Sequence, residues 1–158
     1  MPIESGLFRA ALGRLATGVT VVAVRGPDGA PVGMTASAVT SLSLEPPMVL
    51  VCVGHAAALH ETIVHGAKFS VNVLAADQED LSRRFATREL QRFDDLAVEW
   101  TPARLPRLPG ALACLECRRD AVHRGGDHTI VTGVVEWAWA GDDAPLLYFL
   151  GGYRRLGA

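Results

Sequence analysis

Near the start of the chain, Leu7, Phe8, Ala11, Leu12 and Leu15 recur at spacings of three and four, which predicts an amphipathic opening helix of about three turns ending near Gly18. The period then changes. Val19 to Val24 is rich in β-branched residues, Gly26-Pro27-Asp28-Gly29 is a turn signal, and an extended segment restarts over Val32 to Val39, so a hairpin is expected. Glu45-Pro46-Pro47 launches Met48 to Val53, six apolar residues without alternation, as for a central strand covered on both faces. From Ala56 to His65 the pattern turns helical, with Gly66 suited to the position after the last turn, and Phe69 to Leu74 reads as a strand. Asp77 is placed to cap a short helix carrying Leu81 and Phe85 one turn apart. Residues 87–110, charged and punctuated by Pro102, Pro106 and Pro109, read as surface connection. Leu112 to His123 and Thr129 to Ala140 flank Arg124-Gly125-Gly126-Asp127 as a long hairpin, and Leu146 to Leu150 supplies the last strand.

Strands joined mostly by turns, outnumbering helices, do not make the alternating βαβ of a parallel sheet. The expected fold is mainly β with inserted helices, an antiparallel split barrel whose closure removes exposed edges. With 158 residues, no internal repeat and no low-complexity tract, residues 1–158 are expected to form one domain. A hydrophobic fraction of 49%, a charged fraction of 20% and no apolar run of membrane-spanning length predict a soluble protein, neither disordered nor in a membrane. The formal charge of −2, with both signs mixed along the chain, makes nucleic acid an unfavoured partner. The opening Met1-Pro2-Ile3-Glu4-Ser5 has no basic segment followed by an apolar one, so a cytoplasmic location is expected.

The common catalytic signatures are missing: G-x-x-x-x-G-K-[ST], G-x-G-x-x-G after a strand, G-x-S-x-G and H-E-x-x-H. Cys114 and Cys117 form a C-x-x-C without a second pair, and on a strand such thiols point to opposite faces, so metal or disulfide chemistry is not expected. Cys52, inside an apolar run, reads as a small core residue. His55, His60 and His65, five apart, spread around a helix and read as solvated surface. Two stretches remain. Gly33 to Ser41 packs small and hydroxyl residues where a strand normally carries bulk. Either a flat ligand lies against it, or it is a Ser/Thr-rich edge strand; both readings stay open on these residues alone. Gly126-Asp127-His128-Thr129-Ile130 sets a histidine at a hairpin mouth, where it can meet a ligand or simply bond its neighbour's carboxylate.

Taken in order, Gly18 to Val22, Gly33-Met34-Thr35-Ala36-Ser37, Ser43 to Pro47, Val49 to Val53, Phe69 to Leu74, Gly110 to Ala113, Gly126 to Ile130, Pro145 to Phe149 and Gly152-Tyr153-Arg154 resemble the short-chain flavin reductases. These are FMN-binding split barrels that act as reductase components of two-component monooxygenases. The resemblance implies NADH or NADPH as hydride donor, FMN or FAD as acceptor, a homodimer, and a separate flavin-dependent monooxygenase that uses the reduced flavin. It assigns Met34, Thr35, Ala36, Ser37, Val51, Cys52, Val53, Ala57, Ser82, Arg83 and Phe85 to the flavin. Within that set, Thr35 and Ser37 would touch the ring and its tail, Val51 to Val53 would offer backbone groups, and Arg83 would face the phosphate. His128, Tyr153 and Arg154 go to the nicotinamide nucleotide. No side chain is needed as acid, base or nucleophile, since hydride passes between cofactors. One departure stands out: the loop after Val53 reads Gly54-His55-Ala56-Ala57-Ala58-Leu59, where the family commonly carries Ser and Thr. A flavin-retaining oxidase of the pyridoxamine-phosphate-oxidase-like split-barrel type, or a non-catalytic flavin- or haem-binding module, are the alternatives.

Overall fold

The computed structural model describes residues 1–88 and 93–157; the expected surface connection over 87–110 lies partly outside them. In chain order the elements are α1 (Ser5–Leu12), β1 (Thr17–Gly18), β2 (Thr20–Arg25), β3 (Pro31–Ala36), β4 (Val39–Leu44), β5 (Pro47–Gly54), α2 (His60–His65), β6 (Lys68–Val73), α3 (Glu79–Phe85), β7 (Glu99–Trp100), β8 (Pro106–Arg107), β9 (Ala113–Gly125), β10 (His128–Ala140), β11 (Leu147–Phe149) and β12 (Gly152–Arg154). Seven of these strands form one antiparallel sheet in the order β3-β2-β6-β9-β10-β5-β4. Its two edges, β3 and β4, are consecutive in the chain and joined only by Ser37 and Ala38, so the sheet curls back on itself there. Thr20 Oγ1 donates to Ala36 O at 2.7 Å and Cys52 N donates to Ala38 O at 3.0 Å, stitching both edges to the corner. The result is the expected split barrel.

Its interior is filled by Val22, Val24, Val49, Val51, Val53, Phe69, Val71, Cys117 and Val131, closed at one end by Leu59 and Ile63 from the α2 region. Each such side chain taken from water contributes on the order of 1.5–3 kcal/mol before the entropy of ordering is subtracted. A second cluster, Val19, Val21, Leu74, Phe85, Leu108, Ala111 and Leu146, packs outside the barrel under α3. The strand covered on both faces is therefore β2, whose odd and even residues enter different clusters. The expectation that Met48 to Val53 is that central strand is corrected: in β5 burial alternates, with Val49, Val51 and Val53 inside and Met48, Leu50 and Cys52 half-exposed outside. Cys52 is accordingly not a core residue.

Both hairpins form as predicted. Arg25 pairs with Pro31, and Gly125 pairs with His128 across a two-residue turn where Gly126 has φ 68°, a conformation only glycine adopts cheaply at that position. The opening helix is shorter than expected, ending at Leu12 because Gly13 closes it and Thr17–Gly18 is drawn into pairing with β11. None of its residues is buried; Leu7, Phe8 and Leu12 are exposed. Asp77 does not cap α3: Gln78 precedes it, and its side chain accepts from Ala75 N and donates to Pro109 O. The helix after Ala56 is confined to His60–His65, and Gly66 leaves it in an extended conformation, φ −75°, passing within 2.5 Å, at the position of a Cβ, of Thr62 O. Residues 99–108 are no bare connection, since β7 and β8 pair and Thr101, Leu105 and Leu108 are buried. The last predicted strand, Leu146 to Leu150, forms as β11; β12 was not foreseen, and the two with β1 make a separate three-stranded sheet.

Candidate functional site

The Gly33-Met34-Thr35-Ala36-Ser37 stretch runs up β3 to the split corner. Gly33 is needed where it stands, because a Cβ there would lie 3.0 Å from Phe93 and 3.3 Å from Phe85. Those rings meet edge to face at 4.8 Å, and Phe85 anchors α3 in the second cluster. With α3 so seated, Thr35 Oγ1 donates to Ser82 O at 2.6 Å, and the Ser82 hydroxyl lies 2.6 Å from the Tyr153 hydroxyl. β3, α3 and the C-terminal β12 are thus tied by one chain of hydrogen bonds. Pairing of Tyr148 with Thr17 and Tyr153 brings a second phenol alongside, its ring edge to face with Tyr153 at 5.4 Å.

Two clefts flank that chain. One, about 260 Å³, is lined by Met34, Thr35, Ala56, Ala57, Ala58, Phe85, Ala86, Thr87 and Arg88. The other, about 270 Å³, is lined by Val19, Thr35, Ser37, Ser82, Ala86, Tyr148 and Tyr153. They share Thr35 and Ala86, and Ser37 continues into a wide apolar cleft of about 720 Å³ with Leu15, Thr17, Val39, Leu50 and Cys52. Small-molecule sites commonly span about 300–1,000 Å³ with apolar walls and a few fixed polar groups, the character of this suite. Tyr153 and Arg154 also line a cleft of about 320 Å³ with Glu79, Leu146 and Arg155.

The residues singled out from the sequence are distributed unevenly around these spaces. Met34, Thr35, Ala57 and Phe85 line the alanine-walled cleft, and Thr35, Ser37, Ser82 and Tyr153 line the hydroxyl-rich one. Ala36, Val51 and Val53 turn their side chains into the core. Pairing between β4 and β5 runs only as far as Val51; beyond it Cys52 N donates to Ala38 O at 3.0 Å and Gly54 O accepts from Ala57 N at 3.0 Å. Arg83 lines none of the clefts; it is bonded to Glu79 Oε1 at 2.6 Å and its guanidinium sits 4.9 Å from the centre of the Tyr153 ring. His128 lies at the hairpin mouth, half-exposed, with Nδ1 2.7 Å from Asp127 Oδ1, a contact that holds the Asp127 carboxyl below its ordinary range. It borders none of these clefts; its ring lies against Gly54.

His60 is not solvated surface as expected. Its side chain is 12% exposed, with Nε2 2.8 Å from Thr129 Oγ1 and Nδ1 3.1 Å from Glu61. Cys114 and Cys117 lie on β9 as free, buried thiols whose pKa burial pushes up to about 12. Among the described residues no group of three or more His, Cys, Asp or Glu could hold a metal ion. The sequence reading missed Val19, Ala86, Thr87, Arg88 and Tyr148 as lining residues. No local pattern marks them, since they enter from a strand end, a helix C-terminus and a separate sheet.

An antiparallel split barrel is the fold that this chain shares with solved flavin reductases. The chain belongs to the flavin reductase like domain family, which matches residues 12–157. It is 45% identical over 152 residues to FMN reductase (NADH) SmoA of Agrobacterium fabrum, an alignment covering 96% of this chain and 86% of the relative. It is also 45% identical over 151 residues to the reductase component of 4-hydroxyphenylacetate 3-monooxygenase of Thermus thermophilus, covering 94% and 95% of the two chains. Among solved structures it superposes with TM-score 0.92 on the NADH:FAD oxidoreductase SgcE6 of Streptomyces globisporus C-1027 in complex with NAD and FAD fragments, at 38% identity over 98% of this chain and 93% of that one.

Proposed function

We propose that this chain, as a single domain, uses NADH or NADPH to reduce exchangeable FMN or FAD, and that a separate flavin-dependent monooxygenase consumes the reduced flavin. The observation that carries the reading is the meeting of two clefts at Thr35 and Ala86 beside the Ser82–Tyr153 hydroxyl pair, among small side chains that leave room for a flat ring. A bound flavin supplies the chemistry, accepting hydride from the nicotinamide. The chain's own residues bind and orient. The Thr35 hydroxyl spends its proton on Ser82 O and keeps its lone pairs for a ligand N–H, whereas Ser37, exposed at the corner, is available both as donor and as acceptor. Tyr148 and Tyr153 wall the hydroxyl-rich cleft against water, and Met34 and Phe85 give the other cleft an apolar floor. The bond from Tyr153 to buried Ser82 fixes the phenol's position without giving it a proton-transfer role.

The homodimer belongs to the same proposal. Leu7 (63% exposed), Phe8, Leu12, Leu15, Leu42 and Leu44 lie uncovered, and the wide apolar cleft opens among Leu15, Val39 and Leu50 next to Ser37. A second copy covering that surface would also account for the apolar residues on the outer face of β5, where Leu50 and Cys52 face the cleft. A cytoplasmic location is part of the proposal; no helix among the described residues is long and apolar enough to cross a membrane. The test is to mix purified chain with NADH or NADPH and with FMN, FAD or riboflavin, and to follow nicotinamide absorbance. Consumption that depends on added flavin is expected. Folded protein that consumes no nicotinamide above buffer with any flavin overturns the reading, and flavin that stays bound through desalting overturns exchangeability.

A further inference from the structure

The geometry points to Arg83 as a positioning residue: anchored by Glu79, it packs on the Tyr153 ring and so sets the wall that a nicotinamide nucleotide meets in the hydroxyl-rich cleft. The inference rests on the reductase reading above and gives Arg83 a part that needs no contact with either nucleotide. Tyr153 is a wall shared by two clefts, the one that holds Thr35 and Ser37 and the one lined by Glu79, Leu146, Arg154 and Arg155. A ring in that place decides the width of both, so its position has to be fixed. Its own strand does little of this: β12 has three residues and, among the described residues, is an edge strand paired to β11 alone. The helix α3 supplies the rest, because Glu79, Ser82 and Arg83 fall within one turn of each other. The Ser82 hydroxyl holds the phenol hydroxyl at 2.6 Å, and the Arg83 guanidinium lies over the ring, 4.9 Å from its centre. Glu79 steers the guanidinium there, its Oε1 accepting from Nε at 3.1 Å and from Nη2 at 2.6 Å. Spending that edge of the fork on a carboxylate leaves the flat face for the aromatic ring, a cation–π contact. Tyr148 abuts the same ring edge to face at 5.4 Å. The ion pair is largely exposed, 64% for Arg83 and 41% for Glu79, so its effect lies in where it puts the ring and not in folding stability.

The test is steady-state NADH oxidation with saturating FMN, together with titration of FMN and riboflavin, for the unsubstituted chain, Arg83→Gln, Arg83→Lys and Glu79→Gln. Arg83→Gln is then repeated in the Tyr153→Phe and Tyr153→Leu backgrounds. Loss of a cation–π contact at an exposed site is expected to raise KM for NADH roughly twofold to fivefold in Arg83→Gln, with kcat held within about 1.5-fold because Arg83 touches no reacting atom. Arg83→Lys keeps a cation over the ring and is expected to recover most of that loss, and Glu79→Gln to reproduce part of it. The effect is expected to persist in Tyr153→Phe, which keeps the ring, and to vanish in Tyr153→Leu, which does not. Amide exchange of β12, read with no ligand present, is expected to quicken in Arg83→Gln and much less in Arg83→Lys. An unchanged KM, an equal effect in the Tyr153→Leu background, or unchanged exchange of β12 overturns the assignment. So does a fall of kcat and melting temperature in step with KM, which is a structural role only. A loss of FMN affinity that spares riboflavin also overturns it, by making Arg83 a direct phosphate contact. An unsubstituted chain that consumes no NADH overturns the reductase reading instead, and the exchange measurement still decides whether Arg83 holds β12.

Discussion

The hydrogen bond between Ser82 and Tyr153 makes an asymmetric prediction. Ser82 is fully buried, whereas Tyr153 is half-buried and its phenol borders two clefts. Tyr153→Phe deletes one hydroxyl and strands the other in a dry site, a loss of about 1–3 kcal/mol. Ser82→Ala deletes the buried group instead, and the phenol left behind reaches water through the cleft, so the loss is that of an ordinary neutral bond, about 0.5–1.5 kcal/mol. For a domain of this size each kcal/mol moves the melting temperature by about 2–4 °C, so Tyr153→Phe is expected to melt roughly 2–12 °C lower and Ser82→Ala by roughly half of that or less. The two changes must also fail to add, because Tyr153→Phe strands nothing once Ser82 is alanine. The assay is thermal unfolding of both single variants and the double variant at one protein concentration, with denaturant midpoints as a check. Ser82→Ala costing as much as Tyr153→Phe, or strict additivity, would refute the reasoning, since either outcome means that the Ser82 hydroxyl has another partner or solvent.

His128→Ala is expected to lower kcat/KM for NADH by roughly twofold to a hundredfold while moving flavin dissociation constants much less; equal effects on both, or on neither, count against the nicotinamide role. Gly133→Ala places a Cβ 2.6 Å from Phe69 Cζ and 3.0 Å from Cys117 Cβ inside the barrel, and calorimetry is expected to find it destabilised by about 1–3 kcal/mol. Cys114 and Cys117, with pKa values pushed up to about 12, are expected to resist alkylation at neutral pH until the chain is unfolded, read by mass spectrometry. The Glu136 carboxyl is held below its ordinary value of 4.5 by hydrogen bonds from Lys68 and Arg118, so the stability it adds is present above that value and is lost as pH falls through its lower folded value. Denaturant titrations from neutral to acid pH are accordingly expected to give a shallower acid limb for Glu136→Gln.

What was legible in the amino-acid order was whatever depends on neighbours a few residues away. The turn at Gly26 to Gly29, the turn at Gly126 and Asp127, and the β-branched runs on either side of each specify their hairpins locally, because glycine permits the turn and branched side chains favour the extended backbone. Thr35 and Ser37 were legible as site residues for a related reason: small hydroxyl side chains on a strand are conspicuous in the sequence itself. Which faces are covered was decided by the tertiary structure. The apolar run of β5 and the apolar stripe of α1 look the same in sequence whether the second face meets the core or the outside, and here both leave apolar residues outside the barrel. The C-terminal strands could not be located from their own composition either, since only the pairing of β1 with β11 puts Tyr148 and Tyr153 beside Ser82. The same holds for the arginines. Arg83 and Arg88 are alike in one dimension, and it is the turn of α3 and the carboxylate of Glu79 one helical turn away that hold Arg83 aside while Arg88 lines the cleft.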